Sequence, residues 1–150
     1  MALAAYFDLE IKQFDVVNTF VNAMRDKRRP PVAYKLPDGF KAAGMCVEID
    51  RALYGMKDSP ALWYQEWAAT LQRLKLIPCK EEPCIFMDEH RRVIIVFYVD
   101  DFFVLYHKDH EAEAQGLISK LKVAYEMREL HDLKWFLGIR VIRDRKEKKI

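Results

Sequence analysis

The chain has 150 residues, of which 51% are apolar and 13% aromatic, with a net charge of +2. That length supports one domain with a real core rather than two, and the apolar content excludes global disorder. The near-neutral total excludes a general basic field. The charge is uneven, however: "RDKRR" (25–29) and "RVIRDRKEKK" (140–149) are basic and "DHEAEA" (109–114) is acidic, so local phosphate contact stays open beside plain solvated surface.

In chain order, "ALAAYF" (2–7) reads as the last turns of a helix. "EIKQFDVV" (10–17) alternates apolar and polar residues as a half-buried strand does. A basic loop with Pro30-Pro31 follows, then two strand-like runs, "VAYKL" (32–36) and "MCVEI" (45–49), parted by a "PDGF" turn. "SPALWYQEWAATLQRLK" (59–75) is an amphipathic helix with Ser59 as N-cap, Pro60 at the first helical position, and Leu62, Trp63, Trp67, Leu71 and Leu74 on one face.

"CIFMD" (84–88), "RVIIVFYV" (92–99) and "FFVLYH" (102–107) are strands by their β-branched and aromatic content. A second helix, about 109–126, should bury Leu117, Leu121 and Val123, and "LKWFLGIRVIRD" (133–144) reads as further strand. No βαβ rhythm is present, so the expected class is α+β, an antiparallel sheet with helices packed on one face. The odd cysteine number (Cys46, Cys79, Cys84) has no framework spacing and points to a reduced chain. Cys79 and Cys84 near His90 match no common zinc spacing. The apolar run Val93 to Val99 is far shorter than a membrane span requires.

One stretch resists this simple reading. "FYVDDFFVL" (97–105) sets Asp100 and Asp101 inside an apolar hairpin, where an unpaired charge costs several kcal/mol. Asp also favours turns, so a reversal of the backbone at both residues would explain them. A second carboxylate, Asp15, ends the strand in "QFDVVNTF". Carboxylates pooled from separate strand ends make an oxygen cage suited to Mg²⁺. Two such ions roughly 3.5–4 Å apart would activate an attacking hydroxyl and stabilise a leaving phosphate oxygen.

The chain resembles the reverse transcriptase of copia-type long-terminal-repeat retrotransposons, and most closely their fungal branch. The likeness runs in order through "QFDVVNTFVNA" (13–23), "LPDGF" (36–40), "RALYGMKDSPALWY" (51–64), "EEPCIFM" (81–87), "VFYVDDFFVLY" (96–106) and "DLKWFLGIRVIRDR" (132–145). The resemblance implies a palm with partial fingers over residues 1–150, and RNA-directed DNA polymerase activity. Asp15, Asp100 and Asp101 fall on the family's catalytic aspartates. They would hold two Mg²⁺ ions, with Mn²⁺ as the alternative and the Val16 carbonyl as a further ligand. Phe20 falls where the family keeps an aromatic gate against the ribose 2′-hydroxyl, with core filling as its other reading. Tyr54 and Gly55 fall in the block that meets the incoming deoxynucleoside triphosphate. Tyr98 is expected beside the primer terminus. Trp135, Phe136 and Gly138 of "WFLGIRV" resemble the primer grip, with packing an equal reading of the two aromatics.

The implied partners are an RNA or DNA template with primer, deoxynucleoside triphosphates and the rest of the retroelement polyprotein, with no membrane. The implied location is the cytoplasm, in a virus-like particle, with the nucleus as the alternative. The stretch "AMRDKRRPPVAY" (23–34) departs from the family, being longer and strongly basic. Thumb, ribonuclease H, protease and integrase blocks are expected to be absent, as is the fingers hairpin that clamps the triphosphate. Polymerase activity of the isolated chain should therefore be weak or nil. The alternative is a truncated, non-catalytic remnant with weak nucleic-acid binding. An unrelated metal-binding α+β domain would have to match the ordered blocks by accident.

Overall fold

The computed structural model describes residues 1–28, 30–40, 43–130 and 133–150. Arg29 of the basic run and Asp132 of the last sequence block lie outside the described residues. The chain forms two compact units, one of residues 1–17 and 68–150, the other of residues 18–67.

The larger unit starts with a short helix, α1 (Ala2–Tyr6), and strand β1 (Glu10–Val16). It continues through β4 (Ile77–Pro78), β5 (Ile85–Met87), β6 (Val93–Tyr98), β7 (Asp101–Tyr106), helix α3 (Glu111–Ala124) and β8 (Met127–Leu130). These strands make one sheet in the order β4-β5-β6-β7-β1-β8, with every neighbouring pair antiparallel. The α+β class with an antiparallel sheet is thus as expected.

The sheet carries apolar side chains on both faces. Phe14 stacks on Phe102 at 5.1 Å between ring centroids, and Lys122 of α3 lies 5.6 Å over the Phe14 ring. Helix α3 therefore covers the Phe14 face, with Leu117, Ile118 and Leu121 buried. The opposite face holds a cluster of Ala4, Phe103 and Leu105, flanked by Ile11, Ile94, Val96 and Phe136. Expecting helices on one face only was too simple, because α1 contributes Ala4 to this second face. The reason lies in β7: it reads "DFFVLY" without alternation, and all residues after Asp101 are buried, so the strand needs cover on both sides.

Other differences have equally local causes. Val123 is 89% exposed. At 100° per residue it sits on the far side of α3 from Leu121, and Ile118 fills the expected place. The final segment forms only β9 (Trp135–Phe136) and β10 (Ile139–Arg140), a separate two-stranded sheet. Leu137 and Gly138 turn it with φ of 50° and 76°, the conformation a tight two-residue hairpin asks for. Strand β8 was not anticipated. Its "MREL" sequence carries two charges, which an edge strand tolerates and a central one does not.

The smaller unit holds a hairpin of β2 (Ala33–Lys35) and β3 (Cys46–Glu48), and the first part of helix α2 (Ser59–Arg73), which runs on into the larger unit. Leu62, Trp63, Trp67 and Leu71 are buried along α2 as the periodicity predicted. The helix starts at Ser59 itself, one residue before the expected first helical position at Pro60, and the Ser59 hydroxyl donates to the Leu53 carbonyl at 2.6 Å. That bond ties the helix start to the loop before it, and the Arg25–Asp58 ion pair at 2.9 Å ties it to the basic stretch.

Candidate active site

The site begins with the β6–β7 turn. Tyr98 pairs with Asp101 across the hairpin, so only Val99 and Asp100 occupy the reversal. The expectation that both carboxylates sit in the turn is corrected: Asp101 is the first residue of β7. Val99 has φ of 56°, a left-handed conformation that costs a β-branched residue about 1–2 kcal/mol. Such strain persists only where the surrounding structure over-determines it. Here the Val16 N–H donates to the Asp100 carbonyl at 3.0 Å, tying the turn to the end of β1.

The ladder then aligns the side chains. Asp15 pairs with Asp101 on β7 and with Arg128 on β8. Cross-strand partners share a face, so Arg128, Asp15 and Asp101 form a row on the face that carries Ile11, Gln13 and Phe103. Gln13 Nε2 donates to Asp101 Oδ1 at 3.4 Å. The row stands at the sheet end where β1 and β6 finish. Asp15 and Asp101 are both half-buried.

Their electrostatics follow. Burial pushes the Asp15 carboxyl above the usual range, the Asp100 charge adds to this, and Arg128 opposes it. Burial likewise raises Asp101, the Gln13 hydrogen bond works against it, and the charges of Asp100 and Asp15 push it further up. Asp15 thus feels the charge of Asp100, and Asp101 feels those of Asp100 and Asp15. Negative charge held together against its own repulsion is what a cation relieves.

The donor set is carboxylate oxygen throughout, the chemistry Mg²⁺ and Mn²⁺ take. In that respect the residues fit the ions. Among the described residues, though, no group of three or more His, Cys, Asp or Glu side chains closes on one point that could hold a metal. The carboxylates share a sheet end without being drawn into a finished cage.

The other expected residues fall as follows. Tyr98 is 53% exposed on the same hairpin. Phe136 packs edge-on against Phe103 at 4.6 Å, a core contact, while Trp135 is exposed and Gly138 makes the hairpin turn. Phe20, Tyr54 and Gly55 belong to the smaller unit. Phe20 is buried with its ring 4.6 Å from that of Tyr54, and Tyr54 is largely exposed. Gly55 has φ of 87°, which favours glycine. Arg128 was missed in the sequence, since only pairing of β8 with β1 brings it to Asp15. A cavity of about 680 Å³ in the larger unit, floored by Phe7, Leu9, Met87, Ile94 and Leu105, contains none of these residues. Among the described residues no helix is long and apolar enough to cross a membrane.

The antiparallel sheet thus gathers aspartates from β1 and the β6–β7 hairpin at one end. The family described as reverse transcriptase (RNA-dependent DNA polymerase) matches residues 1–150. The chain belongs to that family, on the copia-type retrotransposon side indicated by its ordered blocks. It is 28% identical over 160 residues to the retrovirus-related Pol polyprotein from transposon TNT 1-94 of Nicotiana tabacum, a match covering 100% of this chain and 11% of that protein. Similar polyproteins from transposons RE2 and RE1 of Arabidopsis thaliana are 27% and 25% identical, each over 86% of this chain and 9% of their own length. The chain therefore spans about a tenth of the curated relatives it matches.

Proposed function

We propose that this chain is the palm, with part of the fingers, of an RNA-directed DNA polymerase within a Pol polyprotein. The observation that carries the reading is the pairing of Asp15 with Asp101, with Asp100 fastened to Val16 beside them. Asp15 and Asp100 are the principal catalytic carboxylates, and Asp101 is the more peripheral partner. Divalent ions bound there would supply charge neutralisation at the phosphates and acidify the primer hydroxyl.

The chain's own groups do the positioning. Gln13 orients Asp101, and the strained Val99 turn holds Asp100 at the sheet end. Tyr98, exposed next to that turn, borders the primer 3′ end. The β9–β10 hairpin supports the primer through its backbone, with Phe136 fixed on Phe103. Phe20 is the gate that selects the sugar of the incoming deoxynucleotide, and Tyr54 and Gly55 belong to the block that meets that nucleotide. Template and primer are bound through phosphates and stacked bases, independent of sequence. The rest of the polyprotein supplies the remaining grip on the duplex.

A second reading, a folded remnant without catalysis, is favoured by one observation: among the described residues the carboxylates do not close into a metal cluster. Primer extension on an RNA template with Mg²⁺ or Mn²⁺ separates the two. The chain is assayed alone and fused to the flanking Pol segments of a relative, with Asp100→Asn as control. Extension by the fusion that Asp100→Asn abolishes supports the polymerase. A fusion as inactive as its Asp100→Asn control supports the remnant.

A further inference from the structure

We propose that Arg128 is the built-in counter-cation of the carboxylate row and that a divalent ion binding at Asp15 must compete with it; this rests on the metal-dependent reading above. The placement of Arg128 is set by β8. Among the described residues that strand is the sheet edge and pairs with β1, in the register Gln13↔Leu130, Phe14↔Glu129, Asp15↔Arg128 and Val16↔Met127. The Val17 N–H donates to the Glu126 carbonyl at 2.9 Å and holds the register at its start.

Alternation along β8 then separates its two charges. Glu129 lies on the Phe14 face, where it meets Lys122 at 3.2 Å and Lys12 at 3.7 Å. Arg128 lies on the opposite face, directly across from Asp15. Its own neighbour in sequence is thus spent on two lysines, and the carboxylate aligned with Arg128 is Asp15.

This arrangement places a permanent positive charge one strand away from Asp15. It also sets a brake. An arriving divalent ion is attracted by the carboxylates and repelled by the guanidinium. For an exposed group this repulsion, at a separation of one strand or so, is worth about three- to tenfold in metal affinity.

The test is a titration of the intact chain with MgCl₂ followed by amide NMR, with trace Mn²⁺ to locate the ion by line broadening. Wild type is expected to show saturable shifts at Asp15, Asp100 and Asp101. Arg128→Gln should lower the Mg²⁺ Kd by about three- to tenfold. Arg128→Lys, which keeps the charge, should leave it at the wild-type value. Asp15→Asn should lose saturable binding. If Asp15→Asn abolishes binding and Arg128→Gln leaves Kd unchanged or raises it, the counter-cation role is overturned and the metal site stands. If Asp15→Asn binds as wild type does, the metal-dependent reading falls instead. A shift in Arg128→Gln that Arg128→Lys reproduces also overturns the proposal, because it would then reflect shape and not charge. Arg128→Met serves in place of Gln if circular dichroism shows the Gln variant unfolded.

Discussion

Asp15 of β1 and Asp101 of β7 stand directly opposite each other across the β1–β7 ladder, on one face of the sheet. Like charges placed this way destabilise a sheet, and both carboxyls are held above their ordinary range, mainly by burial. A folded-state pKa above the unfolded value means the folded chain binds more protons. The contribution to stability is therefore present at low pH and lost as pH rises through the raised pKa.

Asp101→Asn should accordingly stabilise the chain at pH 7. The Asn oxygen still accepts from Gln13 while the charge is gone. A rise in Tm of about 2–4 °C, the equivalent of roughly 1 kcal/mol in a chain of this size, is expected without added metal. The gain should vanish below the ordinary carboxylate range, where the wild-type group is also protonated. A lower Tm at pH 7 would mean that the charge is already satisfied.

Val99→Gly removes a β-branched residue from φ of 56°. Relief of left-handed strain, about 1–2 kcal/mol, outweighs the backbone entropy cost of glycine, about 0.5–1 kcal/mol. Thermal melts should show equal or higher stability. Because the same strain holds Asp100 in place, primer extension by an active fusion should fall. A clear loss of stability would argue against the left-handed turn.

The opposite pH behaviour is expected at Asp88. Burial alone would raise its carboxyl, but the Val93 N–H, the Arg92 side chain and the Arg92 N–H bring it below the usual range. These bonds measure 2.8 Å from the Val93 N–H, 2.9 Å from Arg92 Nε and 2.6 Å from the Arg92 N–H. A lowered pKa contributes stability above the unfolded value and loses it as pH falls through the folded one. Asp88→Ala should cost about 2–3 kcal/mol at pH 7 by denaturant melts, and less at a pH well below the ordinary carboxylate range. An equal cost at both would show that the charge is irrelevant to the β5–β6 turn.

Phe20 separates gate from core. Its ring is buried and set against Tyr54, so Phe20→Val must lower stability, by about 1–3 kcal/mol. If it also selects the sugar, an active fusion carrying Phe20→Val should incorporate ribonucleotides more readily relative to deoxynucleotides. Lower Tm with unchanged sugar preference would leave Phe20 a packing residue.

Legibility in the sequence followed the range of the forces involved. The β6–β7 hairpin was readable from "RVIIVFYV" and "FFVLY", because apolar content and hairpin spacing are local. The exposed side of α3 was misjudged at Val123, where an apolar residue falls two positions past Leu121. The segment 133–144 was overread as strand, since β-branched residues alone do not supply a partner. Strand β8 was invisible for the converse reason: its residues favour no strand by themselves, and pairing with β1 makes it one.

By itself the sequence determined the family, through the order of its blocks, and with it the identity of Asp15, Asp100 and Asp101 as the residues to watch. It also determined the class, because alternation in β1 and the apolar runs of β6 and β7 admit little but an antiparallel sheet with helical cover. What only the tertiary structure decided is how those charges meet. Register between β7, β1 and β8 joins residues more than eighty positions apart, and a slip of one residue would turn each side chain to the other face. That two-residue period, applied across three strands, aligned Arg128 with Asp15 and Asp15 with Asp101, and no local pattern in any one strand encodes it.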